Sequence, residues 1–332
     1  LDPDAVRLFV EDTDQRYYDR FPEAFGEVIT ETFCDEPTLY RAQGRIWTER
    51  FNERFEAAHG FSPEALYPAL WYDTGPGTAA ARNYLFGFRA RLYAEGFMKT
   101  IHDWAAAHGI RSTGHQDQEE VLNPVSVAGD LMLCGKYMDV PGIDKIGGDR
   151  PAELFYKVVS SSAANWDKRL VMSETFGAMG NIPVRELYTI AMEQYTKGIN
   201  QLIPHAVWYN DADVTFLPEL SYRNPLYNEA LPAFSRFLAR LNYLLQPEGR
   251  TVADIAMLYP IETLQAGHYL DGPEGYYAGG VKLPGTDYIR VAAMLSDTLA
   301  RDFTYLHPEV LARCPAGRGM LHLDNKVNHQ HY

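Results

Sequence analysis

Two glutamates stand where short apolar runs end. Val28-Ile-Thr-Glu-Thr-Phe-Cys34 leads into Asp35-Glu36-Pro37, and Arg169-Leu-Val-Met-Ser173 leads into Glu174-Thr-Phe-Gly177. If both runs are strands, Glu36 and Glu174 sit at strand ends, where a pocket can bring distant carboxylates together. Two carboxylic acids across a pocket can divide a proton-donor role and an ionised role, provided their surroundings push their pKa values apart. Hydrolysis of a glycosidic bond needs that division, because one acid protonates the leaving oxygen while the other carboxylate attacks or activates water. The plainer reading of either residue is a helix cap or a loop ligand.

Further polar residues follow the same rule of position. His115 closes the run Ile110-Arg-Ser-Thr-Gly and opens the polar stretch Gln116-Asp-Gln-Glu-Glu120. His115, Asp117 and Glu119 alternate, so an extended segment places them on one face, a donor set suited to Zn²⁺ or Mn²⁺. The His-x-His or His-Glu-x-x-His companion that would strengthen that reading is missing. A hard cation such as Ca²⁺, held by Glu119 or Glu120, suits the acidic composition better. His205 ends Ile199-Asn-Gln-Leu-Ile-Pro and precedes Trp208 and Tyr209, whose rings can stack on a sugar while His205 and Asn210 hydrogen-bond its hydroxyls. Packing in the core is the alternative for Trp208, and the expectation for Trp47, Trp71, Trp104 and Trp166. Asp139 and Asp144 read as turn residues or as outer support for such a site. Cys34 lacks an adjacent base and reads as a buried thiol, and the Gly279-Gly280 loop lacks the context of a phosphate-binding motif.

The elements that must position these side chains alternate between strand-like and helix-like patterns, as in a parallel α/β protein. A helix is expected from Asp2-Pro3 to about Arg20, another from Thr78 to His108 with a kink near Gly96 and a stop at Gly109, and others near Ser160 to Asn165, Val184 to Lys197 and Leu231 to Leu245. Five strand-to-loop units precede a linker at Pro247-Glu-Gly-Arg250. Val252 to Tyr259 then begins a second α/β piece, with a glycine-rich loop near Gly272 to Gly280, a helix from Asp287 to Ala300 and a strand from Phe303 to Leu306. Five units fall short of the eight of a closed (β/α) barrel, so strands are expected to be missing from the N-terminus; an open sheet with a switch-point cleft is the alternative.

With 332 residues, the chain suits a large core plus a smaller piece rather than one ordinary unit. Its 44 acidic residues against 30 basic ones leave a net charge of −14, a field that repels phosphate backbones and anionic lipid. Nucleic acid and membrane are therefore not the expected partners. Three scattered cysteines make neither a disulfide framework nor a thiolate cage. No leader precedes Leu1, which favours a cytoplasmic location, although a chain opening without Met can have lost one.

Six motifs in order, Phe33-Cys-Asp-Glu-Pro37, Gly114-His115 with Glu119-Glu120, Tyr137-Met-Asp-Val-Pro-Gly-Ile-Asp144, Val171-Met-Ser-Glu-Thr-Phe-Gly177, Pro204-His205-Ala206 and Ala256-Met-Leu-Tyr-Pro-Ile-Glu262, resemble the α-L-rhamnosidase-like glycoside hydrolases of family 106 and relatives. The resemblance implies a (β/α)8 TIM-type barrel, present here as strands four to eight over residues 1–248, followed over 249–332 by the start of a glutamine-amidotransferase-like α/β domain. It implies Glu36 as general acid and Glu174 as the other catalytic carboxylate. Asp35, His115, Glu120, His205, Trp208 and Tyr209 would contact an oligosaccharide or glycoside substrate, and a Ca²⁺ would lie near the sugar hydroxyls with ligands unassigned; no organic cofactor is implied. Where related retaining barrels carry Asn-Glu-Pro, this chain has Asp35, which would touch a hydroxyl or raise the Glu36 pKa by like-charge repulsion. Gln116-Asp-Gln118 and Gly180-Asn181 depart from the apolar and aromatic residues of relatives, leaving sugar preference more open than reaction class. A barrel that only holds oligosaccharide and a metal-dependent hydrolase centred on His115 are the competing readings.

Overall fold

A computed structural model describes residues 1–40, 45–148, 150–210, 212–247, 249–271, 286–323 and 326–332. The chain divides into two compact units, Leu1–Asp139 with Leu258–Val291, and Val140–Met257 with Ala292–Tyr332. Among the described residues no helix is long and apolar enough to cross a membrane. The glycine-rich loop, including Gly279 and Gly280, and Glu248 of the expected linker lie outside the described residues.

In the first unit Asp2 caps the helix Pro3–Asp12: its carboxylate accepts the Asp4 N–H at 2.9 Å, and Pro3 fills the first turn, where no intrahelical N–H is required. The single helix expected to Arg20 breaks at Thr13, whose hydroxyl donates back to the Phe9 carbonyl at 2.7 Å, and a second helix covers Asp14–Arg20. Strand β1 (Glu31–Cys34) lies parallel to β2 (Arg111–Gly114), in register from Glu31 opposite Arg111 to Cys34 opposite Gly114. β1 starts later than the apolar pattern suggests because the N–H groups of Val28 and Ile29 both bond the Ala24 carbonyl, at 2.8 and 2.9 Å, and close a turn. Gly114 has φ +136°, and a Cβ there would fall 2.2 Å from the Cys34 carbonyl oxygen, so only glycine lets the two strand ends meet.

The expected long helix is present as Thr78–Tyr93, a π turn at Ala94–Met98, and Lys99–Ala107. The π turn accounts for the irregularity anticipated near Gly96, where a Cβ would lie 2.8 Å from the Leu1 carbonyl oxygen. On one face of this helix Phe88 packs edge-on against Phe51 and Phe55, at 5.3 Å from each ring, and each fully buried phenyl contributes about 2 kcal/mol. Arg89, also fully buried, donates to the Val125 carbonyl at 2.8 Å.

The second unit holds three parallel strands, β3 (Gly142–Lys145), β4 (Met172–Thr175) and β5 (Gln201–Pro204), with β4 in the centre. Helices Tyr156–Asn165 and Val184–Thr196 make the two crossovers. The β-strand β6 (Ile255–Leu258) pairs with β7 (Phe303–Leu306). All ten residues of Tyr156–Asn165 are buried. Its serines and alanines let β7 approach: Ser161 Oγ accepts the Tyr305 N–H at 2.9 Å, and the Asn165 side chain donates to the Tyr305 carbonyl at 2.7 Å and accepts the His307 N–H at 2.9 Å. Helix Leu231–Leu245, found where the periodicity places it, buries Phe234 and Leu238 against Phe176, Leu187 and Ala191. The helix expected from Asp287 is Tyr288–Ala293, extended by a π turn over Met294–Thr298.

Candidate functional site

The five anticipated strands exist as β1 to β5, and the singled-out residues lie at or just beyond their C-terminal ends. In the first unit Asp35 follows β1 directly with 74% of its side chain exposed, and Glu36 takes a left-handed conformation, φ +48°, before Pro37. His115 follows β2. Its backbone N–H donates to the Cys34 carbonyl at 3.1 Å, continuing the parallel ladder past the strand. Its buried ring places Nε2 3.4 Å from the Asp35 carboxylate, and Nδ1 3.0 Å from the Gln116 carbonyl and 3.5 Å from Glu119. Phe33 lies edge-on to the same ring at 5.6 Å. Asp35 and His115, expected to share a site, are thus neighbours.

The run Gln116 to Glu120 is buried at every position, unlike most loops of that composition. Internal hydrogen bonds make this possible. The Gln116 N–H donates to Glu119 Oε1 at 2.9 Å, and the Tyr93 hydroxyl donates to Gln116 Oε1 at 2.7 Å. Burial lifts the Glu119 carboxyl to about 7 against the opposing pull of His115. The Cys34 thiol is pushed up to about 12 by burial, consistent with an inert thiol.

Glu119 and Glu120 are thus buried carboxylates on one short segment, with Glu119 Oε1 already engaged by the Gln116 N–H. The two ring nitrogens of His115 lie beside the Asp35 carboxylate on one side and the Gln116 carbonyl on the other. Asp139 serves the scaffold: its carboxylate accepts the Ser112 N–H at 2.9 Å and lies 3.1 Å from His102 Nδ1.

In the second unit Glu174 occupies the third position of β4. Its register partners are Asp144 on β3 and Ile203 on β5. Asp144, read from sequence only as a turn residue or distant support, is therefore a direct neighbour of Glu174, a relation visible only once strand register is known. His205 continues β5, its N–H donating to the Thr175 carbonyl at 2.8 Å. A Cβ on Gly177 would sit 3.3 Å from His205 Cγ, so the glycine gives this imidazole its place. His205 Nδ1 and Trp208 Nε1 are both buried, and among the described residues neither has a hydrogen-bond partner. Their rings stand edge to face at 5.7 Å, with Phe216 6.4 Å from the imidazole.

The segment after β5 is held by Arg223, which sequence reasoning missed because nothing near it forms a motif. Its guanidinium donates to the Trp208 carbonyl and, at 3.0 Å, to Glu219 Oε1, while the Leu220 N–H donates to the Ala206 carbonyl at 2.9 Å. Tyr209 is fully exposed beside the half-buried Trp208. Of the remaining tryptophans, Trp47 packs at a tilt against Phe51 at 4.1 Å and Trp104 stacks on His108 at 4.2 Å, as packing residues do, whereas Trp71 is 38% exposed.

The alpha-L-rhamnosidase family model of glycoside hydrolases matches residues 1–301. Among solved structures the chain is similar to the rhamnosidase from Novosphingobium sp. PP1Y, with 20% identity and a TM-score of 0.67 over 96% of this chain. At that identity the likeness is one of fold. The chain spans 30% of the length of that relative. No curated protein matches it.

Proposed function

The chain belongs to the α-L-rhamnosidase family of glycoside hydrolases, and from that premise we propose that its protein cleaves α-L-rhamnosides or related glycosidic bonds with two carboxylates. Glu36 is the general acid. It gives its proton to the leaving oxygen as the anomeric carbon takes on oxocarbenium character, and Glu174 acts as base on the water that attacks. In this reading residues 1–248 belong to a partial (β/α)8 barrel, strands four to eight, and 249–332 begin a glutamine-amidotransferase-like domain.

The observation that supports it is positional: in each unit the chemistry-bearing residues cluster at the C-terminal ends of parallel strands, the ends that carry active sites in α/β enzymes. Asp35, exposed at the end of β1 and backed by the buried His115 ring at 3.4 Å, offers an acceptor to sugar hydroxyls. His205 Nδ1 and Trp208 Nε1 are buried hydrogen-bonding atoms without a partner among the described residues, the kind of group that a substrate hydroxyl would satisfy. Trp208 and Tyr209 supply aromatic faces for a sugar ring. Glu120, with Glu119, would hold Ca²⁺, whose charge would fix the orientation of hydroxyls at the site.

Turnover of an aryl α-L-rhamnoside tests the reading. Glu36→Gln and Glu174→Gln keep side-chain shape and remove the acid and base, so each is expected to lose roughly a hundredfold to ten-thousandfold in kcat. Undiminished hydrolysis in both variants removes these carboxylates from the reaction.

A further inference from the structure

The end of the chain carries a histidine pair that the rhamnosidase reading leaves unused. His322 and His331 face each other across an antiparallel bridge. Leu321 and Tyr332 beside them exchange both backbone hydrogen bonds, at 2.8 and 3.0 Å, which makes the histidines the neighbouring non-hydrogen-bonded pair, where opposed side chains come closest and share one face. Their Nδ1 atoms are 2.9 Å apart and their rings 4.9 Å apart at 73°.

The backbone carrying them is anchored. Asp167 accepts the N–H groups of Lys326, Val327 and Asn328 at 2.8, 2.9 and 3.1 Å, and the buried Gln330 side chain donates to the Thr251 carbonyl at 2.7 Å.

Two imidazole nitrogens bound at about 2.0 Å lie about 2.8 Å apart when cis on a square-planar centre and about 3.3 Å apart on a tetrahedral one. The observed separation matches the first. We propose that His322 and His331 form a two-nitrogen surface site for copper(II), the divalent ion that combines tetragonal preference with the highest affinity for imidazole in its series. Water completes the coordination, and the bound ion clips the two segments of the bridge together by replacing the contact between the two rings with two metal bonds.

Titration of the protein with Cu²⁺, followed by calorimetry and electron paramagnetic resonance, tests this. The expected result is one ion whose spectrum carries the hyperfine pattern of two imidazole nitrogens. His322→Gln and His331→Gln should each weaken binding roughly a hundredfold, because losing one arm of a chelate forfeits its effective concentration. His329→Gln, a nearby exposed histidine outside the pair, should leave binding unchanged. Both variants should keep the unmodified protein's melting temperature without metal and lose the rise that Cu²⁺ gives it. Equal affinity in the protein and either pair variant, or equal loss in His329→Gln, overturns the proposal.

Discussion

Asp144 and Glu174 stand opposite each other on adjacent parallel strands, with Asp144 buried. Neighbouring strands run about 4.8 Å apart, and opposed residues point to the same face, so the register sets the two carboxylates side by side. Removing either changes the electrostatic surroundings of the other. In a double-mutant cycle of Asp144→Asn and Glu174→Gln, urea unfolding at neutral pH is expected to show a coupling of at least about 0.5 kcal/mol. Additive effects would mean that the side chains do not sense each other.

Gly114 and Gly180 both have positive φ but differ in what surrounds them. Alanine at Gly180 meets nothing within 4 Å and carries only the backbone penalty, about 1 kcal/mol. Alanine at Gly114 drives its Cβ into the Cys34 carbonyl, and β1 and β2 must part; the cost is expected to be at least about 3 kcal/mol, with loss of the His115 position. Thermal unfolding of the two variants side by side separates strain from collision.

His268 gives the fold an acid sensitivity. Burial, with help from Arg89 and Arg82, lowers its pKa to about 3, so it stays neutral when folded and gains a proton near pH 6.5 when unfolded. Stability from this group is complete above about pH 6.5 and declines as the pH falls toward 3, by at most about 1.4 kcal/mol per pH unit. His268→Leu should flatten the decline between pH 6.5 and 5, where few carboxylates titrate. Parallel stability curves for the two proteins would exclude His268 as the cause.

Arg223→Ala removes the donor that holds the Trp208 carbonyl and Glu219. If His205 and Trp208 bind sugar, the expected outcome is a KM for aryl rhamnoside raised roughly tenfold with kcat changed less, because contacts made equally in the ground and transition states are the ones loosened. Arg223→Lys should recover only part, since an ammonium does not reproduce the two-pronged guanidinium. A fall in kcat at constant KM would tie the segment to the chemical step instead.

The strands were legible because β-branched runs ended at polar residues, and helix Leu231–Leu245 and strand Phe303–Leu306 fell where the pattern put them. Strand starts were less so. The run at Arg169 becomes strand only at Met172, partly because the Asn200 side chain takes the Val171 N–H at 2.8 Å. The break at Thr13 has no glycine or proline to announce it. Residues 116–120 form a polar run whose burial no local pattern announces, since what satisfies them, Tyr93 among others, comes from a helix distant in sequence. Glu174 was readable from its strand alone; its neighbour Asp144 needed pairing information no single segment contains.

The close fit of Tyr156–Asn165 against β7 constrains what evolution can do with the region after Ala292. A descendant that dropped that strand would leave a groove floored by serines and alanines, with the Asn165 amide and carbonyl bereft of the Tyr305 and His307 backbone. Survival would demand bulkier residues along the helix at the same time, a compound change that single substitutions reach only through unstable intermediates. The small residues of that helix therefore make the late segment hard to lose.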